Sequence, residues 1–223
     1  MSIEENLKEI RKNVKDGVTL LAVSKTKPID SIKQVYELGI RDFGENKVQE
    51  LMDKEPNLPD DIRWHLIGHL QRNKVKYIVG KVYLIHSLDS IRLLKEIEKH
   101  YKAKNLMAQA LIQINIGKEE SKTGVYVEHL QELINACEEC KNVKIKGLMS
   151  VIPKGNEEQC RYYFKKLKNI FCDLREKSFK NVKMDVLSMG MTHDYKIAIE
   201  EGSNLVRIGE GIFGKRDYSI HVK

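Results

Sequence analysis

The chain is poor in the residues that staple or punctuate small folds. Its 223 residues include four cysteines, four prolines and one tryptophan, with aromatics at 7%. Cys137, Cys140, Cys160 and Cys172 crowd into one region and outline no disulfide framework, which points to a reducing, cytoplasmic compartment. No apolar run approaches the roughly 20 residues that cross a bilayer, so no membrane association is expected. Residues 1–6 are acidic and lack the apolar centre of a signal peptide. No Pro/Gly/Ser-rich linker, repeat or low-complexity tract divides the sequence. A single domain over residues 1–223 is therefore expected, long enough to bury a core without covalent staples.

What is present is charge and pattern. Lysine and arginine outnumber aspartate and glutamate by 39 to 32, a formal charge of +7. The excess is spread along the chain, without an RNP, zinc-finger or aromatic-interleaved basic stretch. That argues against nucleic acid and leaves solvated helix faces or a small anionic ligand.

Eight short β-rich runs recur, at 20–24, 40–43, 63–67, 82–85, 108–116, 143–149, 184–188 and 205–208. They are apolar without strict alternation, as parallel strands covered on both faces are. Helical segments lie between them. The first begins with an N-cap at Asp30 and stops at Gly39. Another follows Asp89, a long one opens with a capping box at Asn156–Gln159, and the last ends at Gly202. Eight β/α units in this length predict an α/β fold, a (β/α)8 TIM barrel, with a doubly wound open sheet as the competitor. Barrel chemistry sits where strands end. Those ends carry Lys25, Glu45-Asn46, Gly68, His86-Ser87, Asn115, Ser150, Ser188 and Arg207–Gly209.

The last strand runs into Gly209-Glu-Gly-Ile-Phe-Gly214, a literal G-x-G-x-x-G. A dinucleotide site needs a second strand and an acidic ribose anchor about 20 residues further on. Only residues 215–223 follow, so that reading fails. Glycines that let backbone amides approach an anion remain, and barrels commonly hold a phosphate after strands seven and eight. In "LLAVSKTKP", alternation puts Lys25 on the face of Leu21 and Val23. If that face is the interior, desolvation and the nearby Arg207 would free a nucleophilic amine. Lys27 is the poorer candidate, because Pro28 begins the exit from the rim. A lysine nucleophile beside a phosphate cup fits a phosphosugar aldolase or a pyridoxal phosphate site. Arg207 favours the latter, since Asp or Arg partners its pyridine nitrogen.

The segments "AVSKTKP", "FGENKVQE", "WHLIGHLQRNKVK", "HSLDS", "INIGKEESKTG", "GLMSV" and "LSMGMTHDYKIAIEEGSNLVRIGEGIFG" run in order through nearly the whole chain. Together they resemble the YggS/PROSC family of pyridoxal phosphate homeostasis proteins. The resemblance implies the fold-type III barrel of the alanine racemase N-terminal domain, holding pyridoxal 5′-phosphate as a Schiff base on Lys25. It implies that Arg207 faces the pyridine nitrogen and that Asn46 lies beside the ring substituents. Ser188, Gly209 and the amide of Glu210 would hold the phosphate, with Thr192 close by. Thr192 stands where the family usually has serine, and Glu210 where threonine or serine is frequent. The Glu210 carboxylate is expected to turn outward, toward Lys215 or Arg216.

A cation at the ring nitrogen keeps it unprotonated and makes a weak electron sink. The racemases' second, base-bearing domain is also not expected here. The resemblance therefore implies a monomeric carrier or regulator of the cofactor pool, with apo-enzymes that use the cofactor as partners. A low-activity amino-acid racemase on the same cofactor is the alternative. Cys137-x-x-Cys140 reads as structural, since no second pair accompanies it. His65 and His69 are four apart but span a strand end, which disfavours a metal. "QRNKVKY" (71–77) reads as a solvated basic helix start, and Trp64 as packing.

Overall fold

The computed structural model describes residues 2–215. Its strands are β1 (Thr19–Val23), β2 (Asp42–Glu45), β3 (Arg63–Leu66), β4 (Leu84–Leu88), β5 (Ala108–Gln113), β6 (Val143–Met149), β7 (Val182–Ser188) and β8 (Leu205–Ile208). They pair in sequence order, all parallel, and β8 returns to β1 to close a TIM barrel. Helix α1 (Ile3–Arg11) precedes β1. Between successive strands lie α2 (Ile29–Glu37), α3 (Val48–Lys54), α4 (Val75–Ile78), α5 (Ile91–Ala103), α6 (Leu130–Glu138), α7 (Glu157–Arg175) and α8 (Tyr195–Glu200). A short α9 (Glu210–Phe213) follows β8.

Burial on both faces explains the missing alternation. Leu21, Val23 and Leu205 pack with Ile67 and Val186, although their strands are not all neighbours. Such residues meet only across the inside of the barrel. Leu84, Leu111 and Met149 fill the other half of the interior. Between these positions, Leu20, Ala22, Phe43, Val206 and Ile208 face outward and pack on Leu7, Ile32 and Val35 of α1 and α2.

All eight expected strands exist, but two are displaced along the chain. Ile40 is drawn into the end of α2, its amide donating to Val35 O (3.3 Å) beyond the left-handed Gly39, so β2 starts at Asp42. Val82 is held in the turn after α4 by a bond to Ile78 O (3.3 Å), so β4 runs to Leu88. His86 and Ser87 are therefore inside a strand and not at its end. The capping box at Asn156–Gln159 forms as expected. The cap at Asp30 does not: Pro28 occupies that position and Asp30 sits in the first turn of α2. Ser90 caps α5. The 71–77 segment forms a single 3-10 turn and the one-turn α4. Helix α1, capped by Ser2 and Glu5, went unrecognised in the sequence; Asn6 ties it to α9 by donating to Ile212 O (3.0 Å).

Gly147 marks a constraint on closure. It has φ +146°, sits where the β6–β7 register shifts, and a Cβ there would lie 1.8 Å from Val186 O. That contact is backbone to backbone, so no side chain can yield. Gly147→Ala should destabilise the fold by more than about 3 kcal/mol, a clash at a special backbone angle. Thermal melts check this, and a variant within about 0.5 kcal/mol of the parent would contradict it.

Candidate functional site

The C-terminal rim of the barrel carries a cavity of about 350 Å³ between the ends of β1 and β8. Val23, Lys25, Lys27, Gly209, Glu210, Gly214 and Lys215 line it. The β1–β8 register pairs Leu21 with Arg207 and Ala22 with Ile208. Lys25 and Gly209 thus lie past the ends of these strands, beyond Arg207, which is not part of the cavity lining. Gly209 permits the close approach: a Cβ there would stand 3.2 Å from Val23 Cβ and from Val23 O.

The turn that presents Lys25 is held from outside the barrel. Buried Lys54, at the end of α3, donates to Ser24 O (2.8 Å), Glu45 Oε1 (2.8 Å) and Glu50 Oε1 (2.7 Å). Ser24 Oγ also donates to Glu45 Oε1 (2.7 Å), and Glu50 Oε1 accepts the Thr26 amide (2.5 Å). Both neighbours of Lys25 are fixed in this way. Thr26 is held at φ +62°, strained for a β-branched residue. Burial pushes the Glu45 carboxyl up to about 7 against the pull of Lys54. Lys27 turns away from this cluster, its Nζ donating to the carbonyls of Phe213 and Gly214 (3.3 Å each).

Arg207 is buried inside the barrel. Its Nη1 donates to Ser188 Oγ (2.7 Å) and its Nη2 to Ser150 O (2.9 Å). Burial pushes the guanidinium down to about 10, so it stays cationic at neutral pH. Below it a chain of polar groups crosses the interior. Ser188 Oγ lies 3.2 Å from His86 Nδ1, His86 Nε2 lies 2.9 Å from His65 Nδ1, and His65 Nε2 lies 3.0 Å from Asp42 Oδ1. Arg63 closes the far end with two bonds to Asp42, 2.8 and 2.6 Å. Although burial opposes it, the bonds from His65 and Arg63 hold the Asp42 carboxyl at about 2. Burial lowers both imidazoles below their ordinary range, His86 furthest, with His65 and Arg207 adding to the effect there.

The residues singled out in the sequence divide accordingly. Lys25, Gly209 and Glu210 share the cavity wall. The Glu210 side chain is exposed and forms no ion pair with Lys215, while Arg216 is outside the described residues. Thr192 adjoins the same turn, its Oγ1 accepting the Gly211 amide (3.2 Å), which leaves its own proton to donate. Asn46 follows β2 at half burial, outside the cavity lining. Gly68 is pressed against it so closely that a Cβ would fall 2.3 Å from Asn46 O. Ser188 is fully buried with its hydroxyl in the interior chain. The sequence reading missed Asp42, Glu50 and Lys54, and placed Glu45 and His86 at strand ends without their partners. For Asp42 and His86, a polar residue on the inward face of an apolar strand was the available signal. His69 is exposed and pairs with Asp89 (3.4 Å), apart from His65. Cys137 and Cys140 are buried with thiols pushed up by that burial.

Asp42 gives a pH signature. Its folded value, about 2, is below the ordinary 3.8. Its contribution to stability is therefore complete above the ordinary value and is lost as pH falls through the folded one. The stability gap between the parent and Asp42→Asn should be widest at neutral pH and close as pH drops from 4 toward 2. Denaturant titrations across that range measure it; a gap independent of pH would count against the assignment.

Comparison with known proteins points one way. The model of the alanine racemase N-terminal domain matches residues 1–217. A pyridoxal phosphate homeostasis protein of Aquifex aeolicus is 47% identical over 201 residues, 89% of this chain and 87% of that protein. The structure of PipY from Synechococcus elongatus without PLP superposes with a TM-score of 0.90 at 30% identity, covering 96% of this chain and all of that one. The same protein with PLP bound gives 0.87 at 31% identity, with 96% and 100% covered.

Proposed function

The chain belongs to the alanine racemase N-terminal domain family and groups with the pyridoxal phosphate homeostasis proteins, and on that premise we propose that it binds pyridoxal 5′-phosphate (PLP) at the β1–β8 cavity. The observation that carries this reading is the shared wall: Lys25, Gly209 and Glu210 line one cavity just past the end of the strand that carries the buried Arg207 cation. The donor set suits a phosphorylated pyridine aldehyde. Lys25 offers the amine that bonds the aldehyde carbon. The Glu210 amide and the Thr192 hydroxyl offer donors to the phosphate, and the outward Glu210 side chain keeps its charge away. Arg207 uses two of its five N–H groups on Ser188 and Ser150, leaving others for a ring nitrogen. Ser188 serves Arg207 in this arrangement, and its phosphate role passes to its neighbours across the turn. Asn46 stays assigned to the ring's edge.

PLP supplies an electron-withdrawing ring, and how strongly depends on the protonation of its nitrogen. A guanidinium that remains cationic beside that nitrogen disfavours a second positive charge, so the ring is kept quiet. The function that follows is storage and delivery of the cofactor more than turnover of an amino acid. We assign this role to a single-domain monomer of the cytoplasm that hands the cofactor to apo-enzymes, in keeping with its four free cysteines. Among the described residues no helix is long and apolar enough to cross a membrane.

Purified protein should gain a yellow absorption band on adding PLP, and borohydride should fix it covalently at Lys25. Lys25→Ala should lose the reducible band while keeping its fold by circular dichroism. The same reducible band in that variant would refute the Lys25 assignment. Racemisation of an amino acid well above the rate with free PLP would favour the enzyme reading.

A further inference from the structure

The chain of polar groups inside the barrel has a direction that its chemistry fixes. Asp42 is ionised and can only accept, so the proton between it and His65 belongs to Nε2. A neutral His65 then offers a bare Nδ1, which must accept from His86 Nε2. His86 in turn has a bare Nδ1 that accepts the Ser188 hydroxyl proton. Ser188 Oγ is left with lone pairs, and the Arg207 guanidinium donates to them. Every donor points away from Arg207 and toward Asp42. Hydrogen bonds aligned head to tail polarise one another, so the negative charge of Asp42 is felt at the far end.

The need for such a relay is evident at Arg207. Among the described residues no carboxylate lies within ion-pair distance of it, although it is only 4% exposed. We propose that Asp42, at the opposite mouth of the barrel from the cavity, is a positioning residue for Arg207. It acts through His65, His86 and Ser188, whose hydroxyl it makes an acceptor aimed at the guanidinium. No bond is made or broken along the chain; only the order of the protons matters. The groups around it fit that order. Arg63 anchors the carboxylate, and the Tyr83 ring packs 5.5 Å from the His65 ring, confining it. The consequence for the ligand rests on the PLP reading above; the order of the protons does not.

The test begins with protein free of cofactor. Nitrogen-15 NMR at neutral pH should show both His65 and His86 protonated at Nε2 and bare at Nδ1, and slow rotation of the Arg207 guanidinium. Asp42→Asn can donate to His65 through its amide, which reverses both imidazoles to the Nδ1–H form and turns the dipoles against Arg207. The guanidinium should then rotate faster. Ser188→Ala cuts the same link from the other end, leaves Asp42 and Arg63 in place, and should free the guanidinium as well. It serves if Asp42→Asn folds poorly. On adding PLP, either variant should bind about tenfold more weakly, and the double variant no worse than Ser188→Ala alone, as members of one network do. A proton on Nδ1 of either imidazole in the parent, or additive losses in the double variant, would overturn the relay. Correct tautomers and a slow guanidinium in a protein that takes up no PLP would support the relay and refute the PLP reading instead.

Discussion

A guanidinium buried with no carboxylate at ion-pair distance among the described residues is the condition to which the interior of this barrel is adapted. Desolvating such a charge costs several kcal/mol, and only well-placed acceptors offset it. Here the acceptors are one carbonyl, Ser150 O, and one hydroxyl, Ser188 Oγ. Ser150 follows β6 and Ser188 ends β7, so these two paired strands must end at matching heights. The Ser188 oxygen is a dependable acceptor only while its own proton is engaged elsewhere. That requirement explains two imidazoles in a barrel interior whose apolar part is leucine, isoleucine, valine and methionine. It also explains an acid at the start of β2 that is buried but fully satisfied.

A second network acts on the same place from outside. Lys54 and Glu50 fix the backbone on either side of Lys25 and hold Thr26 in a conformation that costs of order 1–3 kcal/mol. A buried pair such as Lys54 with Glu45 is seldom retained for stability, since apolar residues of the same size often do as well. Its geometry offers a better reason. Ser24 points to this cluster, and Lys25, next in the turn, lines the cavity. The interior chain sets the cation, and the exterior cluster sets the turn that carries the amine. The backbone beside Lys25 and the Arg207 guanidinium are thus held by two supports with no member in common.

The fold was legible because burial on both faces leaves a plain mark: eight apolar runs without alternation, separated by amphipathic helices. Boundaries were less legible where a helix end borrowed the next strand's first residues, as Ile40 and Val82 do. Lys25 and Gly209 at the rim, and Arg207 just below it, could be named from strand ends alone. The interior relay could not. His65 invited a metal reading through His69, four residues on, whereas its partners Asp42 and His86 are 23 and 21 residues away. Neighbouring strands bring such residues together, and no local spacing announces it. Ser188 shows the same limit from the other side. Its place at the end of β7 is where the sequence put it, but which way its hydroxyl faces depends on His86.

The terminal glycine pattern is accounted for by three separate constraints. Gly209 lets β8 lie against Val23. Gly211 clears Ile208 Cγ2, which a Cβ would approach to 2.9 Å, and its amide is occupied by Thr192. Gly214 ends α9 with φ +78°, a left-handed close that glycine adopts freely. None of the three demands a dinucleotide. Glu210 lines the cavity together with Lys25, and the Thr192 hydroxyl adjoins the same turn through the Gly211 amide. A small phosphate needs no more than an amide and a hydroxyl together with nearby positive charge, which Lys27 and Lys215 bring to the same wall. The motif thus keeps the physics of phosphate binding while its spacing serves a tight strand-to-helix turn. Two residues before the first of these glycines stands Arg207, a buried cation with no carboxylate at ion-pair distance among the described residues.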